Sequence, residues 1–131
     1  MMKNHATAGW LVCDTSDRIV SSDEAYAVTT TTGAGGATAR SIFVLERAND
    51  KDGAPDNCVH FGQQVRLVTS AQIGTKPLYL SSTQVSPTAF ARFSRNQEVF
   101  ISSIKNYNAT WIVLPAQGCP KAACGQVVSG D

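Results

Sequence analysis

Cys119 and Cys124, in the stretch CPKAAC, are the residues whose type and spacing come nearest to metal chemistry. Four residues separate the two sulfurs, against about two in the commonest zinc knuckles, and His5 and His60 are the only imidazoles available to complete a set. Reduced cysteines more often serve as small buried apolar groups, and Cys13, Cys58, Cys119 and Cys124 are read that way. Asp50, Asp52 and Asp56 lie within RANDKDGAPDN (47–57) and bring three carboxylates near one another. Their spacing does not match the helix–loop–helix calcium motif, so they read as solvated acids of a long surface loop. The Gly-rich run TTTTGAGGATARS (29–41) lacks the Gly-Lys-Ser/Thr ending of a phosphate loop and does not fit the dinucleotide spacing. It reads as a flexible connection between strands.

Catalysis needs a nucleophile, a base within hydrogen-bond reach and a third group to orient the base. His5 falls in a terminus expected to fray, and His60 in an alternating segment where a surface or satisfied core role is the ordinary one. No pair of acids is spaced to act as general acid and base. The chain is therefore not expected to be an enzyme, and no cofactor is expected.

The bulk numbers narrow the class further. The chain has 131 residues, enough for one domain, with 43% hydrophobic and 16% charged residues and a formal net charge of +1. That balance is too neutral for a nucleic-acid partner, which calls for a basic field. No window approaches the roughly 18 apolar residues of a membrane-spanning helix, and MMKNHATAGW holds no apolar core of signal-peptide length. The expectation is a cytoplasmic protein with no membrane partner, whose Asn-Ala-Thr at 108–110 would not be glycosylated.

The elements that must position any site are strands. Apolar segments are short, β-branched and bounded by turn residues, which predicts an all-β domain. Strands are expected at 10–13, 26–30, 41–46, 58–61, 64–69, 77–82, 90–94, 98–103 and 110–114. In QVRLVT, Val65, Leu67 and Thr69 share one face, and Gln64, Arg66 and Val68 the other. FGQQ, IGTKP, SRNQ and KNYNA supply the Gly, Pro or Asn at which the chain turns. Gly62 is expected to take a positive φ.

The chain also resembles itself. An ungapped shift of 68 places Phe43 on Trp111, Trp10 to Val12 on Leu78 to Leu80, Val59 on Val127 and Gly62 on Gly130. A rival alignment of IVSSDEAYAVTT on VHFGQQVRLVTS shares only the Val-Thr ending and accounts for neither Trp10 nor Phe43. The preferred shift divides the chain into a partial unit over 1–58, a complete unit over 59–126 and the start of a third at 127–131. Three four-strand units around a pseudo-threefold axis make a β-trefoil. The expected fold is thus an all-β, MIR-like β-trefoil, incomplete at both ends, with unpaired edges that invite association.

The order VHFGQQVRLVTS, KPLYLSS, SRNQEVFISS, TWIV resembles the MIR-type β-trefoil repeats of protein O-mannosyltransferases and of the amino-terminal regions of inositol trisphosphate and ryanodine receptors. The shared features are Val59 and Gly62, Tyr79 to Ser81, Gln97 to Val99, and Trp111 to Val113. The likeness is closer to small cilia- and flagella-associated proteins of this type, found inside ciliary doublet microtubules, and runs from about Gly9 to Asp131. That family has a further strand pair before Gly9 and more chain after Asp131.

Most residues that carry the likeness (Val65, Leu67, Leu78, Leu80, Val99, Ile101, Trp111, Val113) read as core. The resemblance implies a structural protein of the axoneme that binds α/β-tubulin and other microtubule inner proteins. Lys76, Arg92, Arg95 and Lys105 are the candidates to face acidic tubulin, with Asp50 and Asp52 in the 47–57 loop as further contacts; for each, an ordinary solvated charge is the plainer role. The alternative is a carbohydrate- or protein-binding MIR or lectin-like module of a larger protein, although the Gln-x-Trp signature of lectin trefoils is absent.

Overall fold

A computed structural model describes residues 1–4, 6–19, 25–32, 38–49, 58–70, 76–83 and 97–115. Within them the chain is all-β: seven antiparallel strands form one sheet, accompanied by two short 3-10 turns. The strands are β1 (Trp10–Arg18), β2 (Ala25–Thr31), β3 (Phe43–Arg47), β4 (Gln64–Thr69), β5 (Tyr79–Ser82), β6 (Val99–Ser102) and β7 (Trp111–Ile112). The turns are η1 (Ala39–Ser41), just before β3, and η2 (Tyr107–Ala109), just before β7. The sheet runs β1-β2-β6-β5-β4-β3, with β7 joined to β4 beside β5.

β4 has both edges occupied. β3 lies along its whole length, from Phe43 opposite Thr69 to Arg47 opposite Val65. On the other edge Gln64 and Val65 pair with Ile112 and Trp111, while Val68 pairs with Tyr79. The alternation read in QVRLVT holds: Val65, Leu67 and Thr69 are buried on one face. Leu67 joins Cys13, Leu78, Leu80 and Ile101 in the main core, with Leu11, Tyr26, Val28, Phe43, Val99 and Trp111 packed around them. Every strand contributes to this cluster, so the sheet must curl about it rather than lie flat. Its two outermost strands are tied through η1: the Cys13 thiol donates to the Arg40 carbonyl at 3.2 Å, and Arg40 lies 3.6 Å from Asp14.

Several expected boundaries shift for local reasons. Segment 58–61 is not a strand: it holds a single bridge at His60 and then turns at Phe61–Gly62. Gln63 closes that turn, its N–H on the His60 carbonyl at 3.1 Å and its side-chain oxygen accepting from the His60 N–H at 2.9 Å. Gly62 takes φ +90°, a left-handed conformation that side chains resist. Ser41, expected in a strand, instead ends η1, its hydroxyl accepting from Thr38 N–H and donating to the Thr38 carbonyl. β1 continues beyond Cys13 to Arg18 through a register shift after Asp14. Met2 to Asn4, expected to fray, hydrogen-bond to Gly9 and Leu11. The strand expected at 90–94 lies outside the described residues.

The two 3-10 turns stand 68 positions apart, Ala39 to Tyr107 and Ser41 to Ala109, and each leads into an aromatic-headed strand beside β4. Their backbones match: Ile42 N–H reaches Ala39 O as Thr110 N–H reaches Tyr107 O. β1 and β5 do not follow that offset. The inward residues Leu11 and Cys13 of β1 stand 67 positions from Leu78, just before β5, and Leu80 within it, whereas a shift of 68 sets Leu11 on Tyr79 of a different cluster. In a strand, one residue of slip exchanges the two faces.

These packing differences set measurable outcomes. Leu67→Ala is expected to cost about 2–5 kcal/mol in urea denaturation, while Val44→Ala, 55% exposed on β3, changes stability by less than about 0.5 kcal/mol. Burial, the largest influence, pushes the Cys13 thiol pKa up, so less thiolate forms at a given pH. In peptide-mapped alkylation at mildly alkaline pH, Cys13 should react more slowly than half-buried Cys58 and match it only after unfolding.

Candidate functional site

One depression on the described surface is built around η2. Asn106 caps this turn, its side-chain oxygen accepting the Asn108 N–H at 3.0 Å. The Ala109 and Thr110 amides return to the carbonyls of Asn106 and Tyr107. Ala109, fully buried, packs with Val68 and Tyr79 on the outer face of β4 and β5. Val68 is thus covered although it points away from the main core: the segment that carries η2 lies over it.

Lys105 fastens this segment. Its ammonium hydrogen-bonds the Glu46 carboxylate on β3 and stands 5.6 Å from the centre of the Tyr79 ring. The hydrogen bond to Glu46 is the main cause holding the Lys105 pKa above its ordinary value. Glu46 also faces Arg66 across the β3–β4 ladder, with their charged atoms 3.9 Å apart. Arg66 donates in turn to the Ala48 carbonyl at 3.0 Å.

Between η2, β7 and the start of β4 lies an open groove of about 540 Å³. It is lined by Gln64, Ser82, Gln97, Tyr107, Asn108, Thr110, Trp111 and Ile112, with no Lys, Arg, Asp or Glu among the described residues that line it. Tyr107 is 74% exposed. Trp111 is half-buried, and its indole N–H is already engaged by the Leu80 carbonyl at 2.8 Å. The Ser82 hydroxyl donates to Glu98 O, which leaves its oxygen lone pairs for another donor. The side-chain oxygen of Asn108 is buried and has no hydrogen-bond partner among the described residues. An unpaired buried carbonyl costs about 1–3 kcal/mol, so this atom needs an explanation. The described lining residues offer hydrogen-bonding amides and hydroxyls together with aromatic rings.

Of the residues expected to meet a partner, Lys76 is exposed at the bend before β5. Lys105 is exposed too, but its charge is committed to Glu46. Arg92, Arg95, Asp50 and Asp52 lie outside the described residues, as do Asp56, His5, Cys119 and Cys124. Sequence reasoning passed over the groove. KNYNA reads as a turn in the sequence, yet its Tyr107 and Asn108 line the groove; the available signal is two amides and an aromatic clustered within one turn.

Trp111→Phe keeps the ring but leaves the Leu80 carbonyl without its donor, and is expected to lower stability by about 1–3 kcal/mol in urea denaturation. No protein-family model matches this chain, and no curated protein does.

Proposed function

We propose that the chain is a MIR-like β-trefoil that acts as a non-enzymatic structural protein of cilia and flagella. In this role it binds α/β-tubulin and neighbouring inner proteins within doublet microtubules and stabilises the axoneme. The trefoil is supported by one observation above others: a 3-10 turn and an aromatic-led strand recur 68 residues apart, on opposite edges of β4. The axonemal role is supported by the sequence likeness described above. A body held by a two-edged central strand binds without a large ordering cost. Lys76, exposed at the bend before β5, is the described candidate contact for acidic tubulin whose charge is not committed to Glu46 as that of Lys105 is.

A second reading, a binding module of MIR or lectin-like type, is favoured by the groove beside η2, whose described lining is amides, hydroxyls and aromatic rings. The two separate in the cell. With the protein tagged in its own ciliated cell, flagella are extracted with detergent and then with high salt. Retention on the doublets through both steps is expected for the axonemal protein. Release by detergent alone would overturn that role and leave the module.

A further inference from the structure

Residues 103–110 lie across the outer face of β4 and β5 and are held there by little besides Ala109 and Lys105. We propose that this segment is a strap that lifts on its own, with Lys105 as its catch, and so uncovers Val68 and Tyr79. Its two ends stay fixed, because Ser102 pairs with Tyr79 in β6 and Trp111 pairs with Val65 in β7. The strap is independent of both roles considered above.

The attachment is weak on every count. Residues 103–107 are all exposed, and Ala109 is the fully buried member of the strap. The backbone bonds of η2 close within the segment, Ala109 N–H to Asn106 O and Thr110 N–H to Tyr107 O. The Ile104 N–H turns back to the Ser102 hydroxyl. Among the described residues, the bond from Lys105 to Glu46 is the one hydrogen bond that joins the strap to β3, β4 or β5. A segment with few buried contacts and an exposed fastening opens at less cost than the whole fold.

The closed strap also leaves polar atoms unsatisfied. Two buried side-chain atoms among the described residues have no partner, Asn108 Oδ1 on the strap and Arg66 Nε on the outward face of β4. Lifting answers both. Asn108 passes into water, which supplies the donor that its oxygen lacks. Glu46, released by Lys105, already stands 3.9 Å from the Arg66 guanidinium and can accept from its unused Nε–H. The carboxylate therefore has a second cation ready when the first departs, and opening leaves no charge unpaired. Two arrangements of one ion cluster, each with its own satisfied partners, make the strap a two-state element.

The reporter is the thiol introduced by Ala109→Cys, which takes a fully buried place beside Val68 and Tyr79. Its alkylation is followed by peptide mapping in the full chain, with buried Cys13 of the main core as the internal comparison. Each rate is divided by that of the same thiol in the urea-unfolded chain. The expected result is a thiol at 109 that reacts about ten-fold or more faster than Cys13. Lys105→Gln and high salt should each speed it by about two- to five-fold, as the loss of an exposed ion pair gives, with Cys13 unchanged. Asn108→Leu should slow it by about five-fold or more, because the closed strap then buries no lone acceptor. The backbone there suits leucine, since Ala8 alone among the described non-glycine residues has a positive φ. Should Ala109→Cys lower the urea midpoint, hydrogen exchange at the parent's Ala109 and Thr110 amides takes its place, with the same responses expected. Equal rates at residue 109 and Cys13 would overturn the independent opening. A fast thiol indifferent to both Lys105→Gln and salt would overturn the catch.

Discussion

β4 has a neighbour along each of its edges, and the rest of the sheet takes its position from that fact. β3 covers one edge from end to end, and β7 and β5 divide the other. Backbone groups buried inside a protein must be paired, so three strands are drawn into fixed register on one. Once the register is set, the two-residue period of the strand leaves no freedom: Val65 and Leu67 face inward, and Gln64 and Arg66 face outward. The neighbours' inward residues follow, which is why Phe43 and Trp111 arrive at the same core from opposite sides of β4.

The outward face of β4 then needs its own cover, because Val68 would otherwise stand bare beside Arg66. The 103–110 segment supplies it by lowering Ala109 onto Val68 and Tyr79. The attachment combines apolar burial with an exposed contact from Lys105 to Glu46, which salt screens readily. Lys105 is therefore a clamp in this fold as well as a surface charge. The groove is a by-product of the same arrangement, since a turn laid across the mouth of β4 and β7 leaves a hollow where it lifts away. Its described lining is made of amides, hydroxyls and aromatic rings.

The internal likeness is faithful in one part and shifted in another. η1 and η2, with the strands they introduce, keep their 68-residue spacing to the residue. β1 and β5 are offset by one, because what the fold aligns is the inward face and not the ungapped sequence. An alignment by apolar character tolerates that slip, since Trp10 to Val12 and Leu78 to Leu80 are apolar at every position. Packing does not tolerate it.

What could be read from the chain alone was whatever depends on neighbours in sequence. The β class, most strand centres, the inward set of β4 and the positive φ at Gly62 all follow from alternation and from local dihedral preference. So did the error at 58–61, where alternating Val59 and Phe61 suggested a strand that the Gly62 turn cut short. Which strands lie side by side was not legible, nor was the groove. Trp111 meets Leu80 across 31 residues of sequence, and Lys105 meets Glu46 across 59. Contacts of that span leave no periodic trace, because they depend on how the whole sheet curls to bury one core. Only the tertiary structure could bring Gln64, Gln97 and Asn108 to one hollow.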